Sequence, residues 1–279
     1  MTATDKYAVF GNPIKHSKSP QIHRAFAQET QQQLSYRAHK VDVDKFADAA
    51  KSFFDNGGKG LNITVPFKID AYNFADELSG RARLAGAVNT LALQEDGKIY
   101  GDNTDGAGLV RDICENLGWE VTNKRVLLLG AGGAIRGVLE PLMKLNPSHV
   151  LIANRTVEKA QKLARDFSEF GSVGACSFKA LNANQYDLII NGTSASLAGE
   201  LPPLPSDALT DEGCCYDMMY SAEPTPFMRW GAESAAWAVS DGLGMLVEQA
   251  AESFCIWRGT RPTTRAVIDA IREELEACN

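Results

Sequence analysis

A chain of 279 residues, 44% hydrophobic and 23% charged, has an ordinary globular composition and enough length for two domains. Its 35 acidic and 28 basic residues leave a net charge of −7 with no Lys/Arg-rich run, which argues against nucleic acid as a partner and for a small-molecule substrate. Six cysteines (Cys114, Cys176, Cys214, Cys215, Cys255 and Cys278) show no CxxC spacing or companion histidine pattern. They are expected to be buried small hydrophobes in a reducing compartment, with no metal site. Met1 to Lys6 is polar with no apolar leader behind it, and no apolar run reaches membrane-spanning length. A cytoplasmic protein without a membrane partner is expected; monomer and homodimer both stay open.

Tyr7 to Phe10 reads as a short buried strand closed by the turn cluster Gly11-Asn-Pro13. Ser17 and Ser19 then stand just ahead of Pro20 and an amphipathic stretch with Ile22, Ala25 and Phe26. Ser19 followed by Pro20 fits a helix N-cap and N1 proline, whereas two hydroxyls beside free backbone N–H groups also make a carboxylate site; spacing alone leaves both readings open. Tyr36 to Val43 is a strand, Asp44 to Phe54 a helix stopped by Asn56-Gly-Gly58, and Gly60 to Pro66 a third strand. In that strand Asn62 and Thr64 alternate with Leu61, Ile63 and Val65, so the two polar residues are expected on one face. Lys68 follows at its carboxyl end, where open α/β sheets place their ligands; a solvated lysine near a helix start is the alternative.

Leu78 to Ala85 is expected to be helical, and the strands Ala87–Leu93 and Lys98–Tyr100 flank the hairpin signal Asp96-Gly97. Asn89 falls inside the first strand as either a structural amide or a ligand contact. Thr104 or Asp105 precedes a helix carrying Leu109, Val110, Ile113 and Leu117, and either residue could simply cap it.

Val126-Leu-Leu-Leu-Gly-Ala-Gly-Gly-Ala134 is the strongest cofactor signal: an aliphatic run suited to a doubly buried parallel strand, then glycines that let backbone approach a pyrophosphate at a helix N-terminus. Gly130 and Gly132 fit the dinucleotide fingerprint, but its sixth position holds Ile135 after Gly133 and Ala134. A tight turn without ligand is the alternative. Helix 134–145, strand His149–Ala153, helix Val157–Phe167 and the short strands Asp187–Asn191, Cys214–Asp217 and Ala236–Val239 continue the alternation of a doubly wound parallel sheet. Two apolar helical stripes follow, over Leu243 to Phe254 and Thr264 to Leu275. The expected α/β architecture is an N-terminal α/β substrate domain (1–105 and 242–279) to which the C-terminal helices return, plus a Rossmann-type dinucleotide-binding domain (106–241).

The residue ending the second strand of such a sheet selects the cofactor, an acidic one favouring NAD and a basic one NADP. Here the position is Asn154-Arg-Thr156, with Lys159 one helical turn on and no carboxylate. Arg155 is read as a 2′-phosphate clamp for NADP; a surface arginine before a helix cap is the alternative.

The motifs Gly11-Asn-Pro-Ile-x-His-Ser-x-Ser-Pro20, Asn62-x-Thr-x-Pro-x-Lys68, Gly86-Ala-Val-Asn-Thr90, Asp102-Asn-Thr-Asp-Gly106, Gly130-Ala-Gly-Gly-Ala134, Asn154-Arg-Thr156 and Asp241-Gly-Leu-Gly-Met-Leu-Val247 followed by Gln249 stand in this order. With them the chain resembles the shikimate dehydrogenase family over nearly its whole length. The resemblance implies that Ser17 and Ser19 hold the substrate carboxylate, and that Asn62, Thr64, Asn89 and Gln249 bind ring hydroxyls alongside Lys68 and Asp105. It also implies that Thr193, Met218 and Tyr220 line the nicotinamide and substrate, with Gly242 and the glycine loop Gly130, Ala131, Gly132, Gly133 and Ala134 on the cofactor. Ile135 departs from the small residue usual in the family.

The implied reaction is reduction of the ketone of 3-dehydroshikimate by NADPH to give shikimate, a step towards aromatic amino acids. Hydride reaching a carbonyl carbon leaves charge on oxygen, so a positioned acid must supply a proton. Lys68, with Asp105 to hold it, is the pair expected there. An NAD-dependent quinate/shikimate enzyme would want an acidic residue at 154–156. A methylenetetrahydrofolate dehydrogenase would need no Ser17/Ser19 site, and a non-catalytic dinucleotide sensor would not need both Lys68 and Asp105.

Overall fold

A computed structural model describes residues 4–181, 185–193, 195 and 199–277, so Cys278 lies outside the described residues. The chain divides into two compact units, 1–108 with 247–267 and 109–246 with 268–279. The boundaries differ from those expected at 105, 241 and the C-terminus. Residues from 268 onward belong with the second unit, where Arg272 Nη2 meets Asp241 Oδ1 at 2.5 Å and Nη1 donates to the Ser221 carbonyl.

In the first unit the elements run β1 (Asp5–Gly11), α1 (Ser19–Glu29), β2 (Leu34–Lys40), α2 (Phe46–Asp55), β3 (Gly58–Ile63), α3 (Lys68–Phe74), β4 (Glu77–Leu78), α4 (Gly80–Ala85), β5 (Thr90–Leu93) and β6 (Ile99–Asp102). They form a six-stranded sheet in the order β2-β1-β3-β5-β6-β4, with β1 parallel to both neighbours and β5 antiparallel to β3 and β6. Alternation along β1 and β3 sorts the side chains. Ala8, Phe10, Leu61 and Ile63 face a core closed by Phe46, Ala50 and Phe67, and burying each large member contributes about 1.5–3 kcal/mol. Tyr7, Val9 and Tyr36 face the other way, against Trp257. The Asp96-Gly97 turn forms as expected, with Gly97 at φ 87.

Several local expectations shift. Strand β3 stops at Ile63, although the Thr64 N–H still donates to the Phe10 carbonyl of β1 at 3.0 Å, and Val65 is 69% exposed instead of in the core. Asn89 precedes β5 rather than lying within it. The expected 78–85 helix begins after Leu78, because Ser79 accepts from the Ala82 N–H and caps α4.

The second unit carries part of α5 (Asp105–Arg111), a π-helical turn over Asp112–Asn116, β7 (Arg125–Leu129), α6 (Gly133–Met143), β8 (His149–Asn154), α7 (Val157–Asp166), β9 (Val173–Ser177), β10 (Tyr186–Asn191), β11 (Leu209–Asp217), α8 (Pro226–Glu233) and β12 (Ala238–Ser240). Helices α9 (Leu243–Arg258) and α10 (Arg265–Ala277) are each divided between the units. The sheet is parallel throughout, in the order β12-β11-β10-β7-β8-β9. Its strand order reverses between β7 and β10, which is where a doubly wound sheet opens a ligand crevice. Leu127, Leu129, Ile189, Cys215 and Phe227 build its core. Strand β9 and helix α8 escaped the sequence pattern: β9 has one branched aliphatic residue, and α8 is only eight residues long, although Thr225 caps it ahead of an N1 proline. Of the cysteines, only Cys214 and Cys215 are fully buried among the described residues; Cys114, Cys176 and Cys255 are half-buried. No helix is long and apolar enough to cross a membrane among the described residues.

Candidate active site

Lys68 begins α3, immediately after the loop that follows β3, and Asp105 begins α5. Lys68 Nζ stands 2.5 Å from Asp105 Oδ2, with the side chains 32% and 12% exposed. A cation in a first helical turn opposes the helix dipole while a carboxylate there favours it, so Lys68 sits against local preference and Asp105 with it. Asn89 Nδ2 donates to Asp105 Oδ1 at 2.7 Å, so each carboxylate oxygen has its own partner. Thr104 N–H donates to Asn89 Oδ1 at 2.9 Å and thereby fixes which way that amide points. Gln249 Oε1, from α9, lies 3.4 Å from Asn89 Nδ2 and 3.3 Å from Thr104 Oγ1.

The two serines divide their roles differently from the capping reading. Ser19 is the first residue of α1, whose cap position is Lys18 with no side-chain cap bond. Ser17 Oγ instead accepts from the Ser19 N–H at 3.3 Å. Thr64 lies against Gly11, where a Cβ would meet Thr64 Cγ2 at 2.5 Å; the glycine of the first motif therefore makes room for the threonine of the second. Ser17, Ser19, Asn62, Thr64, Lys68, Asn89, Asp105 and Gln249 all fall in the first unit.

The expected cofactor residues, Thr193, Met218, Tyr220 and Gly242 among them, all fall in the second unit. Gly130 closes β7 at φ 102, a left-handed value that favours glycine. A Cβ on Gly132 or Gly133 would meet nothing within 4 Å, so open space lies against the start of α6. That helix has no side-chain cap and no acidic residue in its first turn, leaving its leading N–H groups available to an anion. Ile135 points away from this space: it is fully buried, and a Cβ on Gly192 would lie 2.7 Å from its Cγ1. Asn154 Nδ2 donates to the Thr156 carbonyl at 2.8 Å, closing the corner after β8, while Arg155 and Lys159 are exposed and ion-paired to no described residue. These features fit a dinucleotide with an extra phosphate. Gly242 has a packing reason too, since a Cβ there would run into the Met218 carbonyl.

Three comparisons with known proteins agree on the family. Residues 9–91 match the family model for the shikimate dehydrogenase substrate binding domain, 111–198 that for shikimate/quinate 5-dehydrogenase, and 242–272 that for the shikimate 5′-dehydrogenase C-terminal domain. A shikimate dehydrogenase (NADP(+)) of Cellvibrio japonicus is 57% identical over 98% of both chains. The chain belongs to the shikimate dehydrogenase family. Among solved structures, an Ael1 enzyme from Pseudomonas putida superposes with a TM-score of 0.91 at 48% identity, covering 96% of this chain and 98% of that one. Shikimate 5-dehydrogenase from Thermus thermophilus, in complex with NADP(H) and shikimate, superposes at 0.86 with 30% identity over 97% and 99%.

The sequence reading of this shikimate dehydrogenase family member missed its buried polar interior. In the first unit His23, Tyr36, Thr90 and Ser253 are buried and hydrogen-bonded behind the named residues. In the second, Asn191 and Asp217, both fully buried at the ends of β10 and β11, bond one another at 3.2 Å. Asn191 Oδ1 accepts from Thr193 Oγ1 at 2.7 Å, and Asp217 Oδ2 from Thr225 Oγ1 at 2.7 Å. Polar residues ending otherwise aliphatic strands were the available signal. Burial raises the Tyr220 hydroxyl pKa, with the Asp241 charge adding to it, so Tyr220 stays a neutral donor at neutral pH.

Proposed function

We propose that this chain catalyses the reversible, NADPH-dependent reduction of 3-dehydroshikimate to shikimate in aromatic amino acid biosynthesis. The observation that carries the reading is the Lys68–Asp105 contact of 2.5 Å beyond β3, in a chain of this family. The cofactor supplies hydride to the ketone carbon. Lys68 has two further N–H donors beyond the one given to Asp105, and these can meet the ketone oxygen as charge develops on it. Asp105 holds Nζ in place, Asn89 holds Asp105, and the Lys68–Asp105 pair delivers the proton. Ser17 and Ser19 hold the substrate carboxylate through their hydroxyls at the start of α1. Thr64, Asn89 and Gln249 take ring hydroxyls, and Tyr220 is assigned to substrate on family resemblance.

The cofactor's pyrophosphate is read by Gly130, Ala131, Gly132, Gly133 and Ala134, and its 2′-phosphate by Asn154, Arg155, Thr156 and Lys159; Thr193, Met218 and Gly242 are assigned to the nicotinamide side. Shikimate-dependent reduction of NADP, followed by absorbance, tests the reading. Turnover with NADP and shikimate is expected, and its absence in folded protein overturns it.

A further inference from the structure

Asn62 is 6% exposed, and its amide is fully occupied inside the protein. Its Oδ1 accepts from the Tyr36 hydroxyl at 2.7 Å and meets His23 Nε2 at 3.1 Å; its Nδ2 donates to Ser253 Oγ at 3.0 Å and to Thr90 Oγ1 at 3.3 Å. An amide with two acceptor sites and two N–H groups has nothing left for a substrate hydroxyl. What it can do is set the direction of the hydrogen bonds beyond it.

Those bonds have one consistent direction. The Thr104 N–H fixes Asn89 Oδ1 as an acceptor, so the contact of 2.9 Å from Thr90 Oγ1 must carry the single Thr90 proton. The 2.7 Å contact between Thr90 and Ser253 must then carry the Ser253 proton, since a hydroxyl has only one to give. Ser253 in turn accepts from Asn62. Its other acceptor, the Gln249 carbonyl at 3.0 Å, is the longer contact. Donors therefore run from Tyr36 through Asn62, Ser253 and Thr90 to Asn89, whose Nδ2 ends on Asp105 Oδ1. The chain links Tyr36, against α1, to the carboxylate that holds Lys68.

We propose that Thr90 and Ser253, with Asn62 behind them, are positioning residues for the reaction. They touch neither substrate nor cofactor; they hold Asn89 so that its Nδ2 stays on Asp105 Oδ1, which leaves Oδ2 for Lys68. Thr90 is the link to test, because its contacts of 2.7 Å with Ser253 and 2.9 Å with Asn89 Oδ1 are shorter than the parallel route from Ser253 through Thr104 Oγ1, at 3.3 and 3.0 Å. This rests on the function proposed above.

The experiment measures kcat and KM for 3-dehydroshikimate and NADPH, with melting temperatures, in wild type, Thr90→Val, Thr90→Ser, Asp105→Asn and the double variant Thr90→Val/Asp105→Asn. Valine keeps the shape of threonine without the hydroxyl. Loosening a catalytic group by a fraction of an ångström costs rate, so Thr90→Val is expected to lower kcat about 10-fold with the NADPH KM unchanged. Thr90→Ser is expected to recover to within about 2-fold, and in the Asp105→Asn background Thr90→Val is expected to cost nothing more, because the chain acts through Asp105. A folded Thr90→Val with wild-type kcat, or one that loses the same factor with and without Asp105, overturns the inference. If Thr90→Val does not fold, Ser253→Ala breaks the chain one link earlier and is judged by the same outcomes. A wild type inactive on 3-dehydroshikimate overturns the functional reading and this inference together; an active wild type with an indifferent Thr90 overturns the inference alone.

Discussion

Ile135 occupies the space that a side chain on Gly192 would need: a Cβ there would stand 2.7 Å from Ile135 Cγ1 and 3.1 Å from Met218 Sδ. The large residue in the first turn of α6 and the bare backbone after β10 are thus one feature. Gly192→Ala is expected to destabilise the protein by about 1–3 kcal/mol, the cost of overpacking a filled site. Ile135→Ala leaves a cavity and is expected to cost about 2–5 kcal/mol alone. Combining the two should cost less than their sum, because the added methyl fills part of the vacated volume. Urea denaturation of the three variants measures this, and strict additivity would separate the two residues.

Lys68 and the two serines should split the kinetic constants. A group acting on developing charge works in the transition state, so Lys68→Ala is expected to lower kcat roughly 100-fold or more with a much smaller change in the shikimate KM. Ser17→Ala combined with Ser19→Ala should raise KM first, since carboxylate contacts serve ground and transition states alike. Steady-state kinetics on both variants decide it; near-normal turnover without Lys68 would make the lysine a positioning group.

The parallel sheet was legible because β7, β8 and β10 are aliphatic runs broken by turn residues, and Leu127, Leu128 and Ile189 are indeed fully buried. Strand β9 was not, because Val173-Gly-Ala-Cys-Ser177 is held by its register with β8 more than by its own side chains. In the site, position after a strand or before a helix left Lys68 open to a solvated lysine and Asp105 to a helix cap, and it was the family motifs around them that named the pair. Tyr36, Thr90 and Ser253 could not, because each reads locally as an ordinary strand or helix residue. Only their meeting around Asn62, across separations of 26, 28 and 191 residues, makes them a network. Long-range polar pairing leaves no periodicity in a sequence.

His23 makes stability depend on pH. It is fully buried, stacked 4.2 Å from Tyr36, and burial lowers its pKa from 6.5 to about 3, with the hydrogen bond to Asn62 opposing in part. Its Nδ1 has no hydrogen-bond partner among the described residues to share a second proton. Between these two values the unfolded chain binds a proton that the folded one refuses. The stabilisation is full above pH 6.5 and falls by about 1.4 kcal/mol per pH unit on acidification towards 3. His23→Phe keeps a ring in the stack and removes the titration. Urea midpoints from pH 7 to pH 4 are expected to fall more steeply for wild type than for the variant, and parallel curves would mean that His23 takes up its proton in the fold.

Cofactor preference should be decided after β8. A 2′-phosphate carries about −1.5 to −2 charges near neutral pH, and hydrogen bonds from a guanidinium to such a group are the strong kind. Arg155 is exposed and ion-paired to no described residue, so its planar fork is available to grip two phosphate oxygens or stack on adenine; Lys159 adds a point charge in the first turn of α7. Arg155→Ala is expected to weaken NADP use by about 1.5–3 kcal/mol, the scale of hydrogen bonds to charged groups, with little effect on NAD. Asn154→Asp should shift preference further. Its carboxylate would accept from the NAD ribose hydroxyl and repel the phosphate, although it would also give up the Nδ2 donor that now closes the corner on Thr156. The ratio of kcat/KM for NADP over NAD in wild type and both variants is the measurement. A ratio unchanged in Arg155→Ala would remove the clamp and leave the dehydrogenase reading standing, because Lys68 and Asp105 lie in the other unit of the chain.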